Sequence, residues 1–285
     1  MIEVLIDGIL FGLQLALLAV GLVLIFGLGG VLNLAHGEFV IITGITAGML
    51  SSLGVNILIS ITTGVLLAGV AGVAMDRTLL RPVYKLSGEM EILVGLFLTL
   101  GLAAAIDGVI AYLFPGLHFS INVPVEAISF FGLAFRPSSL IAGLVAVISL
   151  LLLLFFLRNT TTGKAIRAIL QNQTGARLCG INVDNIRTLV FLLGGIMAGL
   201  AGVAQGLSSS VDPGAGLELT SLALIVSVVG GVRSVYGAII AGLLLGIVNA
   251  VVSYLVGTYL ALIILLVVVI GVVLFKPSGL FARSV

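Results

Sequence analysis

Read between charged or turn-rich breaks, the chain resolves into apolar stretches near 9–28, 38–53, 55–75, 92–114, 138–157, 188–207, 222–232, 235–256 and 258–275. A helix needs about 20 apolar residues to cross the hydrocarbon layer of a bilayer. Most of these stretches are therefore expected as membrane-spanning helices, while 38–53 and 222–232 are short for straight spans. The pattern predicts an all-α integral membrane protein. Residues 1–285 form one domain, a polytopic bundle of about eight to nine hydrophobic segments, some of them discontinuous.

Composition agrees. Charged residues make up 8% of the chain, 12 Lys+Arg and 11 Asp+Glu, where a soluble domain of this length would carry about 70. Hydrophobic residues reach 61% and the mean hydropathy is +1.40. A soluble globule could not cover so much apolar surface, and disorder goes with the opposite composition. Cys179 is the single cysteine, so no intramolecular disulfide or cysteine metal cage is available, and His36 and His118 form no ligand-spaced pair. No metal, cofactor or nucleic-acid partner is expected. Glu3 and Asp7 precede the first apolar stretch without any Lys or Arg, unlike a secretory signal, so 9–28 reads as an uncleaved span.

Lys and Arg orient the bundle. Break 76–91 holds Arg77, Arg81 and Lys85; break 158–187 holds Arg158, Lys164, Arg167, Arg177 and Arg187; the tail holds Lys276 and Arg283. These are expected on the cytoplasmic side. Break 115–137, with only Arg136, and 208–221, with Asp212 and Glu218, are expected outside with the N-terminus. Parity then requires 38–53 to count as a crossing, and 222–232 to cross or be supplemented. Eleven helical residues reach only about 16 Å, so unwound backbone is expected there, shielded by protein or water.

Two glycine-interrupted regions carry the polar chemistry. Gly27 to Glu38 includes Asn33, His36 and Glu38, and Gly230 to Gly237 includes Arg233. Both start Gly-Gly-Val, one in each half of the chain, a pairing that in transporters points to the transport site; two unrelated interfacial turns would read the same way. Asn33 to Glu38 could equally be a surface loop with Glu38 in the first turn of the next helix, or line a cavity, where intramembrane charges mark function. Asp107 must face protein, water or the outer interface. Arg233 must snorkel or sit in a polar cavity, the reading favoured here, with Asp107 as a conceivable partner. Small-residue ladders (Gly195/Gly199, Ala198/Gly202/Gly206, Ala238/Gly242/Gly246/Ala250) argue for close helix contacts, within the chain or with a partner. Gly163-Lys164 lacks the remainder of a Walker A loop, and no catalytic constellation emerges.

In 158–187, Ala165, Ile166, Ile169 and Leu170 give one face of a short helix after Thr160-Thr161-Thr162. Thr174 can cap a second short turn ending at Gly180, and Asn182 or Asp184 the following span. A structured basic loop implies a protein partner; charge alone would be explained by orientation.

Asn33-Leu34-Ala35-His36-Gly37-Glu38, Arg81-Pro82-Val83, Gly163-Lys164-Ala165-Ile166-Arg167-Ala168 with Gly180-Ile181-Asn182, and Gly230-Gly231 with Gly237-Ala238 resemble the permease subunits of branched-chain amino acid ABC importers. The likeness is closer to their H-type than to their longer M-type subunit, and runs from about Gly8 to Leu280. Leu34 stands where many members have Phe, and the loop signature is degenerate, keeping Ala176 and Gly180 with Thr174 in the Glu position and Gly175 in the first Ala position. The resemblance implies an inner-membrane permease without catalytic residues. Its implied partners are a second similar permease, two cytoplasmic ATP-binding subunits and a periplasmic binding protein. The intramembrane polar residues Asn33, His36, Glu38, Asp107 and Arg233 are the pathway candidates, and the resemblance implies a coupling segment to the ATPase over 160–182, with Gly163, Lys164, Arg167, Ala176 and Gly180. Urea and short-amide importers share these motifs, and an ion-coupled secondary transporter, a channel or a scaffold are the competing classes.

Overall fold

The computed structural model describes residues 1–281 except 87, 122, 124–127, 131, 132, 136 and 277. Arg136 and Arg283, two of the residues used above for orientation, lie outside the described residues. The helices run α1 (Ile2–Gly29), α2 (His36–Ser52), α3 (Ile57–Ala74), α4 (Glu89–Leu113), α5 (Pro137–Asn159), α6 (Thr161–Gln171), α7 (Gln173–Leu178), α8 (Val183–Ser208), α9 (Gly216–Gly230), α10 (Val235–Val256) and α11 (Thr258–Phe275). A short antiparallel hairpin, β1 (Ile128–Phe130) and β2 (Leu133–Phe135), pairs Ser129 with Ala134 before α5. Among the described residues, seven helices are long and apolar enough to cross a membrane: α1, α3 with its continuation to Leu80, α4, α5, α8, α10 and α11. The two short apolar stretches of the sequence became α2 and α9, so the fold is a polytopic membrane helix bundle with two shorter members.

α1 is the axis of the bundle. α5, α8, α9 and α10 pack around it, and its middle residues Ala16, Leu17, Ala19 and Val20 are fully buried. Lipid offers no hydrophobic drive for helix association, so contact depends on small residues that let backbones approach. The ladders do this inside the chain. Gly242 and Gly246 of α10 face Ala16 and Gly12 of α1, and Gly195, Gly199 and Gly202 of α8 face Ala68, Val65 and Val40. These pairings set α1 antiparallel to α10 and α3 antiparallel to α8. All described Lys and Arg side chains therefore gather at one end of the bundle: after α3 (Arg77, Arg81, Lys85), in the last turn of α5 (Arg158), in α6 and α7 (Lys164, Arg167, Arg177), in the first turns of α8 (Arg187), and after α9 and α11 (Arg233, Lys276). It is called the basic end below.

Both glycine pairs that opened the two polar regions stop a helix. Gly30 (φ 65°) closes α1 and Gly231 (φ 105°) closes α9, each at a positive φ that suits glycine. The chain then differs. After Gly231 it makes a tight turn into α10, whereas after Gly30 it runs back into the bundle without helix before α2 begins. A second unwound stretch, Ser209 to Ala215, precedes α9. The unwound backbone expected around 222–232 is thus largely displaced to the N-terminal side of that helix. There Val211 bridges to Phe119, and the Gly206 carbonyl accepts the Ile121 N–H.

Candidate functional site

Asn33, His36 and Glu38 are completely buried, which excludes the surface-loop alternative. His36 starts α2 beside the middle of α1, where its Nε2 lies 3.0 Å from the Leu18 carbonyl oxygen. Only a protonated Nε2 can donate there, which leaves Nδ1 as an acceptor without a partner. Asn33 Oδ1 accepts the Ala35 N–H at 3.0 Å, an Asx turn that leads into the helix, and its Nδ2 has no partner. Both carboxylate oxygens of Glu38 are buried without a hydrogen bond. Three polar side chains with atoms that lack a partner among the described residues therefore lie in the interior, at a break that starts part-way through the bundle, with His36 on the α1 side and Glu38 against α9.

Two threonines allow the break to exist. Unwound backbone at membrane depth is tolerated only where protein satisfies its polar groups. Thr99 of α4 accepts the Leu34 N–H (3.1 Å), and its hydroxyl lies 3.2 Å from the Leu32 carbonyl. Thr220 of α9 accepts the Gly37 N–H (2.8 Å), and its own proton has the Leu34 (3.1 Å) and Gly216 (3.0 Å) carbonyls as acceptors. The segment is thus clasped between α4 and α9. Gly37 and Gly216, one in the first turn of each shorter helix, are in backbone contact, and Glu38 lies against Gly216. Two helix N-termini, each carrying partial positive charge, converge on the Glu38 carboxylate.

Asp107 is half-buried on α4, with Oδ1 unpaired, next to Ile106 and Ile110, which join Ile41 and Ile45 of α2 in one apolar cluster. It is within electrostatic range of Glu38. Arg233 is elsewhere. It is exposed in the turn between α9 and α10 at the basic end, and it makes no ion pair among the described residues. The enclosed cavity expected for it is not formed, because α9 reaches that end by starting deeper in the bundle rather than by being supplemented at its C-terminal side.

The segment 160–182 folds as read, with one change of cap. Thr160 Oγ1 accepts the Gly163 N–H (2.9 Å) to start α6, and Asn172, not Thr174, caps α7 through the Gly175 N–H (2.8 Å). Asn182 caps α8. Thr174 lies in the first turn of α7 rather than at its N-cap. Gly163, Ile166 and Ile169 are buried, with Gly163 tight against the Phe156 and Leu157 carbonyls, while Lys164 and Arg167 are exposed. The Arg167 guanidinium donates to the Leu157 carbonyl near the C-terminus of α5, so it also anchors α6 to that helix. On α7, Ala176 is buried and Leu178 is 85% exposed; Gly180 (φ 80°) turns the chain into α8.

Sequence reasoning missed Thr99 and Thr220, which carry no motif and act only through contacts distant along the chain. It also missed a polar group at the basic end, where Asp76 receives hydroxyls from Tyr84 and Thr188.

The family described as branched-chain amino acid transport system / permease component matches residues 4–273. The high-affinity branched-chain amino acid transport system permease protein BraD of Pseudomonas aeruginosa is 26% identical over 99% of this chain and 96% of its own length. The corresponding permease LivH of Escherichia coli is 27% identical over 97% and 94%. The ribose import permease RbsC of Escherichia coli is 27% identical over 82% and 73%. Among solved structures, PsaBC from Streptococcus pneumoniae in complex with Fab superposes with a TM-score of 0.51 over 96% of this chain and 91% of that one, at 12% identity, a likeness of fold.

Proposed function

Because the chain belongs to the family of permease components of branched-chain amino acid transport systems, we propose that it carries branched-chain or other neutral amino acids across the inner membrane. It is a non-catalytic transmembrane subunit of an ABC importer. Coverage supports the amino-acid substrate: the alignments to BraD and LivH run almost end to end, whereas that to the ribose permease leaves about a quarter of the relative unmatched. Its partners in this reading are a second homologous permease, two ATP-binding subunits at the basic end, a periplasmic binding protein and the surrounding lipid. The basic end is then cytoplasmic and the N-terminus outside.

The buried junction of α2 and α9 is the pathway in this reading. Glu38 sits at it, Asn33 and Asp107 flank it, His36 backs it from the α1 side, and parting of the two shorter helices opens it. Arg233 is not included. The coupling segment has a mechanical route to this junction. α6 is fixed to α5 through Arg167 and packs Leu170 against Gly27 of α1, and α1 supplies the Leu18 carbonyl that holds His36. Closure of ATPase subunits against Lys164, Ala176, Leu178 and Gly180 would move α6, and with it the end of α1.

Vesicles bearing the complete importer test this. With ATP and an uncoupler present, uptake of leucine should persist and be competed by isoleucine and valine, not by ribose. Competition by urea or acetamide alone would favour a short-amide importer, and loss of uptake with the uncoupler an ion-coupled secondary transporter.

A further inference from the structure

At the basic end, a cavity of about 370 Å³ lies between the end of α3, the turn that follows it and the start of α8. Arg77, Arg81, Lys85, Arg177 and Arg187 line it. Two carboxylates, Asp76 and Asp184, share the cavity with these five cations, which leaves the lining with a formal excess of positive charge. Both oxygens of Asp76 are taken by hydroxyls, Tyr84 at 3.2 Å and Thr188 at 2.6 Å. Asp184 is largely in solvent and only 3.6 Å from an Arg187 nitrogen. Glu91 is a more distant charge on the Tyr84 side. Burial, together with the adjacent Asp76 carboxylate, pushes the Tyr84 phenol up, so it remains a proton donor to Asp76.

Arg187 is the anomaly. Its side chain is only 6% exposed, its guanidinium is stacked 3.7 Å from the centre of the Tyr84 ring, and its Nε–H has no acceptor. Buried charges are normally paired and fully hydrogen-bonded. Here the one carboxylate in reach is long and exposed, while four further cations surround the same space. The ring holds the fork of donors in a fixed orientation, which suits a planar or tetrahedral oxyanion.

We propose that this cavity binds a phosphate group, with the Arg187 guanidinium as its central donor and Arg81, Lys85 and Arg177 closing around it. The phosphate can be borne by an anionic phospholipid or be free in solution. A phospholipid fits the place: basic pockets between helices at a cytoplasmic surface hold such headgroups, and α3 and α4, on either side of the turn, expose most of their apolar surface to receive acyl chains. Bound there, the headgroup ties the α3–α4 turn to the start of α8, directly after the α7 surface.

The test uses the full chain purified in an uncharged detergent, with bound lipid counted by native mass spectrometry. Phosphatidylglycerol should be retained about tenfold over phosphatidylcholine of the same chains, and Arg81→Gln with Lys85→Gln should lose that preference by about tenfold. Both residues are exposed, so the double variant tests binding without disturbing packing; its melting midpoint should match that of the parent. Arg187→Lys, which keeps the charge and loses the fork, should weaken retention similarly. If millimolar inorganic phosphate raises the melting midpoint and displaces phosphatidylglycerol, the free anion is a source as well. Equal retention of the two lipids with no effect of phosphate, or retention unchanged in the double variant, overturns the proposal and leaves the cavity to a carboxylate of a partner protein.

Discussion

Replacing Gly37 by alanine adds one methyl group at the closest approach of α2 and α9. Its carbon would lie 2.8 Å from both the Gly216 carbonyl carbon and Thr220 Oγ1, and closer still to the Gly216 carbonyl oxygen. Ordinary carbon contacts begin near about 3.5 Å, and the obstacle is backbone, which cannot rotate away. The helices must part, and the Gly37 N–H to Thr220 hydrogen bond parts with them. Overpacking costs about 1–3 kcal/mol, and a buried N–H left without its acceptor about 1–3 kcal/mol more. At roughly 2–4 °C per kcal/mol for a chain of this size, the melting midpoint of the purified chain should fall by about 4–24 °C. Gly101→Ala and Gly108→Ala on α4 supply the control, since nothing lies within 4 Å of either position. Those should be neutral or slightly stabilising through helix propensity, by up to about 1 kcal/mol. A Gly37→Ala protein that melts within a degree of the parent would refute the close helix contact.

Thr220→Val keeps the shape of the side chain and removes the hydroxyl, which strands the Gly37 N–H; thermal melting should show a loss of about 2–3 kcal/mol, with Thr220→Ser recovering most of it. Glu38→Gln replaces an unpartnered buried carboxylate by a neutral amide, so the melting midpoint should hold or rise while ATP-driven uptake falls; full uptake would remove Glu38 from the pathway. Leu178→Asp should leave stability within about 0.5 kcal/mol, as at other exposed sites, yet release the ATP-binding subunits during copurification. It separates docking from folding better than Arg167→Glu, which would also break the anchor to α5.

Much of the fold was legible because spans announce themselves by length and hydropathy: the limits 235–256 and 258–275 coincide with α10 and α11. Parity also identified the two irregular segments correctly. What parity could not locate was where each segment unwinds. For α9 the helix occupies the C-terminal part and the irregular backbone lies before Gly216, a choice fixed by Thr220 and Gly37 rather than by local composition. Arg233 was drawn into a cavity by that displaced boundary. The pairing of the glycine motifs held only as far as helix termination at Gly30 and Gly231, since the interior partner of the first break is Gly216. His36 and Glu38 were recognisable as charged residues in an apolar context, while Thr99 and Thr220 were not, because a hydroxyl in a membrane helix usually bonds its own preceding turn.

The clasped segment between α1 and α2 also bears on how the protein is made. Its hydroxyl partners come 65 residues later in Thr99 and 186 residues later in Thr220. A ribosome adding roughly 5–20 residues per second needs some tens of seconds to supply α9. Thr99 can take the Leu34 amide once α4 is made, but until α9 arrives the Gly37 amide has no final partner and the Glu38 carboxylate is not enclosed, and α2 carries too much polarity to settle alone among lipid tails. The early chain must therefore wait beside the insertion machinery or in a shallow, hydrated position until α9 arrives. Biogenesis then hinges on this late closure, and premature release of the nascent chain after α8 would leave a fragment marked for proteolysis by the same polar groups that the finished bundle conceals.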